Sequence, residues 1–323
     1  MRHSMSRSDR TLGAIAAATA LGLLLAGCSG TGSPSGGTSG SASSKCKIGM
    51  TQINQTAAFF TQMNEGATKA AKDVGCTLTI ANANNDSAKQ NSDIEAFVSQ
   101  GMTGIIVVAI DNNGVLPAVK AARDKGIKTI AVDTALKDGA VDTTVGVDNE
   151  KAGAKIGQWV LDNKLAANAS YGVVDAKNSF IQNQREDGFV KVVNGAGAKY
   201  TQSVSGDNVQ EKAATAAQNL LTAQEKLDFV YTTGEPATVG AVAALKGNSR
   251  TKIIGWDLTK EVIAGLDSGL VTAVVQQDPK QEGVEAVGEL KRLIGGGTAK
   301  GFIDVPITIV TKANVEPYRK IFP

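Results

Sequence analysis

The sequence predicts an α/β protein made of two similar lobes, each built on a doubly wound parallel sheet. Three observations carry that expectation. Short β-branched runs alternate with helical patterns from residue 46 to residue 310; the eleven strand candidates are too many for one compact doubly wound sheet; and the pattern before residue 148 is nearly repeated after it. Strand, helix, strand in repeating order implies parallel sheets covered on both faces.

The strand candidates are residues 48–53, 78–83, 104–110, 128–133 and 143–147, followed by 171–175, 200–204, 228–232, 252–257, 271–276 and 305–310. Between them lie helical patterns at 57–74, 87–99, 113–125, 150–163, 182–194, 209–223, 235–246 and 279–294. Gly75, Gly126 and Gly247 follow three of these helices and fit C-caps, where a left-handed residue closes the last turn.

Ahead of this alternation, Arg2, Arg7 and Arg10 precede an apolar run from Leu12 that ends at Leu25-Ala26-Gly27-Cys28. A basic start, about 15 apolar or small residues and a small-residue cut site make a secretory signal; a transmembrane helix needs roughly 20 apolar residues. The cut site resembles a bacterial lipobox, in which Cys28 is lipidated and becomes the first residue of the mature chain. Acyl chains at about 0.8 kcal/mol per buried methylene would anchor it to a membrane. The alternative is an ordinary signal peptide with an incidental cysteine. Residues 29–44 are Gly, Ser, Thr, Pro and Ala only, a flexible tether. At about 5 to 6 Å times the square root of residue number it spans roughly 20 to 25 Å.

The chain carries 33 basic and 31 acidic residues; losing residues 1–27 would remove Arg2, Arg7, Arg10 and Asp9 and leave the signs balanced. That balance gives no reason to expect nucleic acid as a partner. The single histidine, His3, lies in the segment to be removed, so the mature chain has no imidazole for a triad, a general base or a zinc site. There is no phosphate-loop Gly-x-x-x-x-Gly-Lys, no Gly-x-Ser-x-Gly after a strand and no Cys-x-x-Cys. Binding without chemistry is the expectation: no enzyme activity, no cofactor and no metal. With Cys28 lipidated, Cys46 and Cys76 remain. They stand at equivalent ends of two neighbouring strands, which predicts a disulfide, with two unpaired thiols as the alternative. Closing that loop of about 30 residues contributes roughly 3 to 4 kcal/mol in the chain-entropy model.

Ligands of open parallel sheets sit beyond the carboxyl ends of strands. Four predicted strands run into an aspartate there: Asp111, Asp133, Asp175 and Asp257. A carboxylate accepts hydrogen bonds from adjacent hydroxyls, which suits sugars and polyols, although Asp after a strand also caps helices and shapes turns. The segments Phe59-Phe60, Thr129-Ile-Ala-Val-Asp133, Gly146-Val-Asp-Asn149, Gln184-Arg-Glu-Asp-Gly-Phe189, Gln218-Asn-Leu-Leu221, Ile254-Gly-Trp-Asp257 and Gln277-Asp-Pro279, in this order and spacing, resemble the periplasmic sugar-binding proteins of the ribose-binding type. The resemblance covers nearly all of residues 46–310 and implies the periplasmic binding protein type I fold, two doubly wound parallel-sheet lobes joined by three hinge crossings.

What the resemblance implies, position by position, is a sugar site. Phe59 and Phe60 would stack on the ligand, Asp133 and Asp257 would accept from hydroxyls, Arg185 would donate to ligand oxygens, Gln277 would do both, and Asn54 or Gln55 would supply a first-strand polar contact. Thr134 stands where Arg often follows the first binding Asp, Asn208 lies in Gly206-Asp207-Asn208 where an aromatic wall is usual, and Thr233 replaces the ligand-binding Asn. Fewer rings and one fewer Arg point to a smaller or acyclic polyol or another pentose, and two carboxylates against one Arg disfavour anionic sugars.

The implied organisation is a signal peptide at 1–27, a lipidated cysteine and tether at 28–45, an N-terminal lobe of 46–148 plus 279–304, and a C-terminal lobe of 149–278 plus 305–323. The implied role is a monomeric receptor, held outside the cell membrane by its lipid alone, that captures a small neutral sugar or sugar alcohol by hinge closure and passes it to the permease of an ABC importer. The rivals are a signalling or chemotaxis receptor of the same fold, a carboxylate-based glycosidase, and a repressor of the lactose-repressor type, which needs a helix-turn-helix where this chain has a signal and a tether.

Overall fold

The computed structural model describes residues 46–55, 58–137 and 139–322. The expected signal sequence, the lipidation at Cys28 and the tether lie outside the described residues. Among the described residues no helix is long and apolar enough to cross a membrane.

The chain first lays down β1 (Lys47–Gln52), α1 (Ala58–Asp73), β2 (Thr77–Asn82), α2 (Ser87–Ser99), β3 (Gly104–Val107), α3 (Leu116–Asp124), β4 (Lys128–Val132) and β5 (Thr143–Gly146). It continues as α4 (Asn149–Asp162), β6 (Ser170–Asp175), α5 (Phe180–Gly195), β7 (Lys199–Ser205), α6 (Gln210–Ala223), β8 (Phe229–Thr232), α7 (Glu235–Ala244), β9 (Lys252–Trp256), α8 (Lys260–Ser268) and β10 (Val271–Gln276). It ends with α9 (Pro279–Ile294), β11 (Gly301–Asp304), β12 (Thr308–Val310) and a 3-10 turn at Glu316–Lys320.

These strands form two six-stranded sheets, in the orders β11-β5-β4-β3-β1-β2 and β12-β10-β9-β8-β6-β7. Every pairing is parallel except β10 with β12. The chain therefore passes between the sheets three times, at 147–148, 277–278 and 305–307. Each sheet has an apolar core on both faces. The inner strands β3, β4, β5, β8 and β9 are buried along almost their whole length, with β3, β4 and β9 built on Ile and Val, whereas the edge strands β2 and β7 carry Thr, Lys and Ser and stay partly exposed. This is the composition that covered parallel sheets require.

Two helix pairs mount the sheets' inner faces. In the first lobe α1 packs on α9 so closely that a Cβ at Gly66 would lie 2.0 Å from the Lys280 carbonyl oxygen and one at Gly283 2.3 Å from that of Met63. In the second lobe α5 packs on α4 in the same way, with 2.1 Å from Gly188 to the Glu150 oxygen and 2.2 Å from Gly153 to the Arg185 oxygen. Only glycine permits such an approach, and it sets the depth at which the first turns of these helices reach the cleft.

The expected disulfide is present: Cys46 and Cys76, 30 residues apart, are bonded beside the Lys47↔Thr77 register pair of β1 and β2. Gly75, Gly126 and Gly247 all have left-handed backbone after α1, α3 and α7, and after α1 the Cys76 amide donates back to Ala71 O while the Gly75 amide donates to Lys72 O. The strand expected at 305–310 is instead a crossing followed by the short β12. The Val305 amide still donates to Gly146 O of the first sheet, but Pro306 has no N–H to continue a ladder. β11 and α8 are absent from the sequence reading. β11 is four residues long and largely exposed, so no apolar alternation marks it. α8 was signalled only by its ends, Thr259 accepting from the Val262 amide and left-handed Gly269.

Candidate functional site

The carboxyl ends of both sheets face one another across a cavity of about 220 Å³. β4 ends into Asp133 and β9 into Asp257. Both aspartates have left-handed backbone, φ +65° and +59°, uncommon for a residue with a side chain and of order 1 kcal/mol or more in cost. Each is held there identically, its amide donating to the neighbouring strand: Asp133 to Val145 O at 2.9 Å and Asp257 to Val275 O at 2.8 Å. The kink ends the strand and turns the carboxylate into the cleft. Asp111 and Asp175 behave otherwise. Asp111 accepts from the Asn113 and Gly114 amides at 2.9 and 3.0 Å and shapes a turn, and buried Asp175 is ion-paired to Lys177 at 3.0 Å.

Arg185, only 3 % exposed, sits on α5 between the two aspartates and is fixed from all sides. Its Nε donates to Asn149 Oδ1 at 2.7 Å, one terminal nitrogen to Thr233 O at 3.1 Å and the other to Gln277 Oε1 at 3.2 Å. Its guanidinium lies 3.8 Å over the Trp256 ring. The Trp256 indole donates to Tyr231 Oη, which donates to Arg185 O, and Tyr231 stacks on Phe189 at 3.8 Å. Gln277 also donates to both Asp257 oxygens at 3.1 Å. Gln277 lies in the second crossing between the sheets, so the Asp257–Gln277 contact joins the end of β9 to that crossing.

Burial dominates the electrostatics. It raises Asp133 to about 6, opposed by Arg185 and reinforced by Asp257. It also raises Asp257, against Arg185 and the Gln277 hydrogen bonds, and pulls Arg185 below its usual value. Glu282, in the first turn of α9, is fully buried and pushed well above the usual carboxylate range, with Asp133, Asp257 and Asp278 adding to the effect.

Of the residues the sequence singles out, Phe59, Phe60, Asp133, Arg185, Asn208, Asp257 and Gln277 all line the cavity. Phe59 and Phe60 meet edge to face with centroids 5.3 Å apart. Thr134 lines an adjoining hollow of about 560 Å³ together with Phe60, Asp133 and Asn208. Thr233 is buried behind the wall, its hydroxyl donating to Gln182 Oε1 and its carbonyl accepting from Arg185. Asn54 and Gln55 lie in the loop after β1, outside the cavity wall. Sequence reasoning missed Gln182, which donates to Asn208 Oδ1 at 2.8 Å, and Ile181, Glu235, Gln276 and Phe322, all of which line the cavity. Gln182 could have been found, since it lies three residues before Arg185 on one helix face. Larger hollows of about 830 and 770 Å³ lie on outer surfaces, each lined by one lobe near the amino end of β4 or β9.

Such an enclosure, with aromatic faces from one side and planar hydrogen-bonding groups from the other, is suited to a small hydroxylated molecule.

Comparison with known proteins agrees with this geometry. A family described as periplasmic binding protein domain matches residues 48–298. The ribose import binding protein RbsB of Bacillus subtilis is 26 % identical over 267 residues, covering 82 % of this chain and 87 % of that protein. Among solved structures, an ABC transporter solute-binding protein from Mycobacterium smegmatis with bound glycerol is 28 % identical, covers 84 % of this chain and 96 % of that one, and has a TM-score of 0.73. A sugar-binding protein of a sugar ABC transporter from Bacillus halodurans, at 21 % identity, covers 84 % and 99 % with a TM-score of 0.79. The chain belongs to the periplasmic binding protein family, with the type I fold of sugar-binding proteins of ABC transporters.

Proposed function

We propose that this protein is a lipid-anchored extracellular receptor that captures a small neutral sugar or sugar alcohol and delivers it to the permease of an ABC importer. The observation that carries the reading is the placement of Asp133 and Asp257, one from each sheet, in matching left-handed kinks on either side of Arg185 along one cavity. The anchor rests on the lipobox pattern ending at Cys28. The proposed lobes are residues 46–148 with 279–304, and 149–278 with 305–323.

Capture proceeds by hinge closure. A ligand held by Asp257, Arg185 and Gln277 on one lobe recruits Phe59, Phe60 and Asp133 from the other, and closure expels water and strengthens each hydrogen bond. The crossings are tied together where the hinge must turn: the Asp148 amide donates to Asp304 Oδ1 at 3.0 Å and Lys155 Nζ to Ile307 O at 3.1 Å. Micromolar affinity corresponds to about −8 kcal/mol, which five or six desolvated hydrogen bonds and ring contacts supply.

The test is calorimetric titration of pentoses, hexoses and sugar alcohols into the mature chain, then into Asp133→Ala and Asp257→Ala. Each substitution is predicted to weaken the accepted ligand by about tenfold to a hundredfold. Unchanged binding in both variants would show that the site is elsewhere.

A further inference from the structure

The cavity between the sheets does not stand alone. At about 220 Å³ it lies below the roughly 300 to 1,000 Å³ of ordinary ligand pockets, and on one side it runs on into the hollow of about 560 Å³. Phe60, Asp133, Ile181, Gln182 and Asn208 line both spaces, so the two are chambers of one cleft.

Both lobes build the second chamber. Ile53, Ile110 and Thr134 follow β1, β3 and β4 of the first sheet, while Asn178, Ser179 and Phe180 lead from β6 of the other sheet into α5. Thr134 and Asn208, which border the passage from opposite lobes, are both short. No lysine or arginine is among the residues that line the hollow, and the one carboxylate it adds to Asp133, that of Asp111, is already taken by the Asn113 and Gly114 amides. Ser179 stands at the N-cap of α5 but makes no side-chain cap bond, which leaves its hydroxyl for another partner. An uncharged, hydroxylated occupant suits this lining.

Phe180 supplies the apolar half of that description. At 64 % it is the most exposed large apolar residue among those described, it belongs to none of the four apolar cores, and it meets no other ring. A lone exposed ring is ordinary on an outer surface. This one lines the hollow, immediately before Ile181 and Gln182, which line the cavity as well. An aromatic face beside polar groups is what the apolar side of a sugar ring packs against.

We propose that the guest is a neutral disaccharide, with one unit in the cavity among Asp133, Asp257, Arg185 and Gln277 and the other in the hollow, its ring on Phe180 and its hydroxyls on Asn112, Thr134 and Ser179. This rests on the reading of the cleft as a sugar site and extends the guest by one unit. Because both lobes line the hollow, the closure that grips the first unit also grips the second.

Disaccharides titrated beside their own units test it: maltose and cellobiose with glucose, lactose and melibiose with galactose and glucose, xylobiose with xylose, each into the mature chain by calorimetry. At least one disaccharide is expected to bind ten times or more tighter than either of its units. Phe180→Ala, at an exposed position outside the cores, is expected to weaken that disaccharide about tenfold and to leave both the binding of single units and the Tm of the empty protein unchanged. An advantage below tenfold for every disaccharide, a disaccharide affinity that Phe180→Ala leaves intact, or a loss that falls equally on the single units overturns this proposal while the sugar reading stands. If neither disaccharides nor single units bind, both fall.

Discussion

The two lobes use one construction and fill it differently. The paired glycines fix the correspondence: Gly283 of α9 answers to Gly153 of α4, and Gly66 of α1 to Gly188 of α5, each against the carbonyl that the other lobe's geometry predicts. Counting from them, Phe59 and Phe60 correspond to Ile181 and Gln182, Met63 to Arg185, and Glu282 to Ala152, while Asp133 and Asp257 sit in the same kink. All four residues at the first two positions line the cavity. The scaffold therefore dictates which positions reach the cavity, and the side chains placed there decide what each lobe offers. The first lobe offers rings and a buried acid, the second a guanidinium and amides. Each lobe alone is an incomplete site, and that asymmetry gives closure its reward.

Making the lobes alike should break function, most severely at Arg185. Arg185→Met, which copies the first lobe's Met63, leaves Asp133 and Asp257 facing each other with no cation and strands the Asn149 and Gln277 acceptors. About a thousandfold loss of ligand affinity is expected, roughly 4 kcal/mol, in the range found when one partner of a buried charge arrangement is removed. A loss below tenfold by calorimetry would mean that the arginine supports the lobe rather than the ligand.

The shared construction predicts equal damage from equal changes. Gly66→Ala and Gly153→Ala each force a methyl into a helix contact at 2.0 and 2.2 Å, and each should destabilise by about 1 to 3 kcal/mol, read as a lower Tm. If one is tolerated and the other is not, the two helix pairs do not play the same part.

The smallest effect concerns Asp133. Its carboxyl is raised to about 6 by burial, so the folded protein holds the proton more tightly than the unfolded chain does. The group therefore favours the folded protein at low pH, and this contribution is lost as pH rises from about 4 through about 6. Asp133→Asn should be no more stable than the parent at pH 4 and gain on it steadily up to pH 7, in Tm measured without ligand. A gap that does not move with pH would refute the burial argument.

Much of this site was legible because strand ends and helix starts are local features. Asp133 and Asp257 follow β-branched runs, Phe59 and Phe60 open a helix, and Arg185 and Gln277 belong to motifs of fixed spacing. The alternation of strand and helix likewise predicted every inner strand. What was not legible depends on lobe packing. Glu282 in a first helical turn reads as an ordinary partner of the helix dipole, and the packing of α9 within its lobe buries it. Phe322 reaches the cavity from the C-terminal end with no local periodicity to announce it, and supplies a ring to a site that the sequence portrays as short of one. Asn54 and Gln55 lie in the loop after β1 and are not among the residues that line the cavity.

The most direct test of the account is small-angle scattering of the mature chain before and after addition of a ligand whose binding calorimetry has established. Hinge closure predicts a smaller radius of gyration in the bound protein, with the ligand recovered chemically unchanged. Identical scattering curves with and without bound ligand would contradict it.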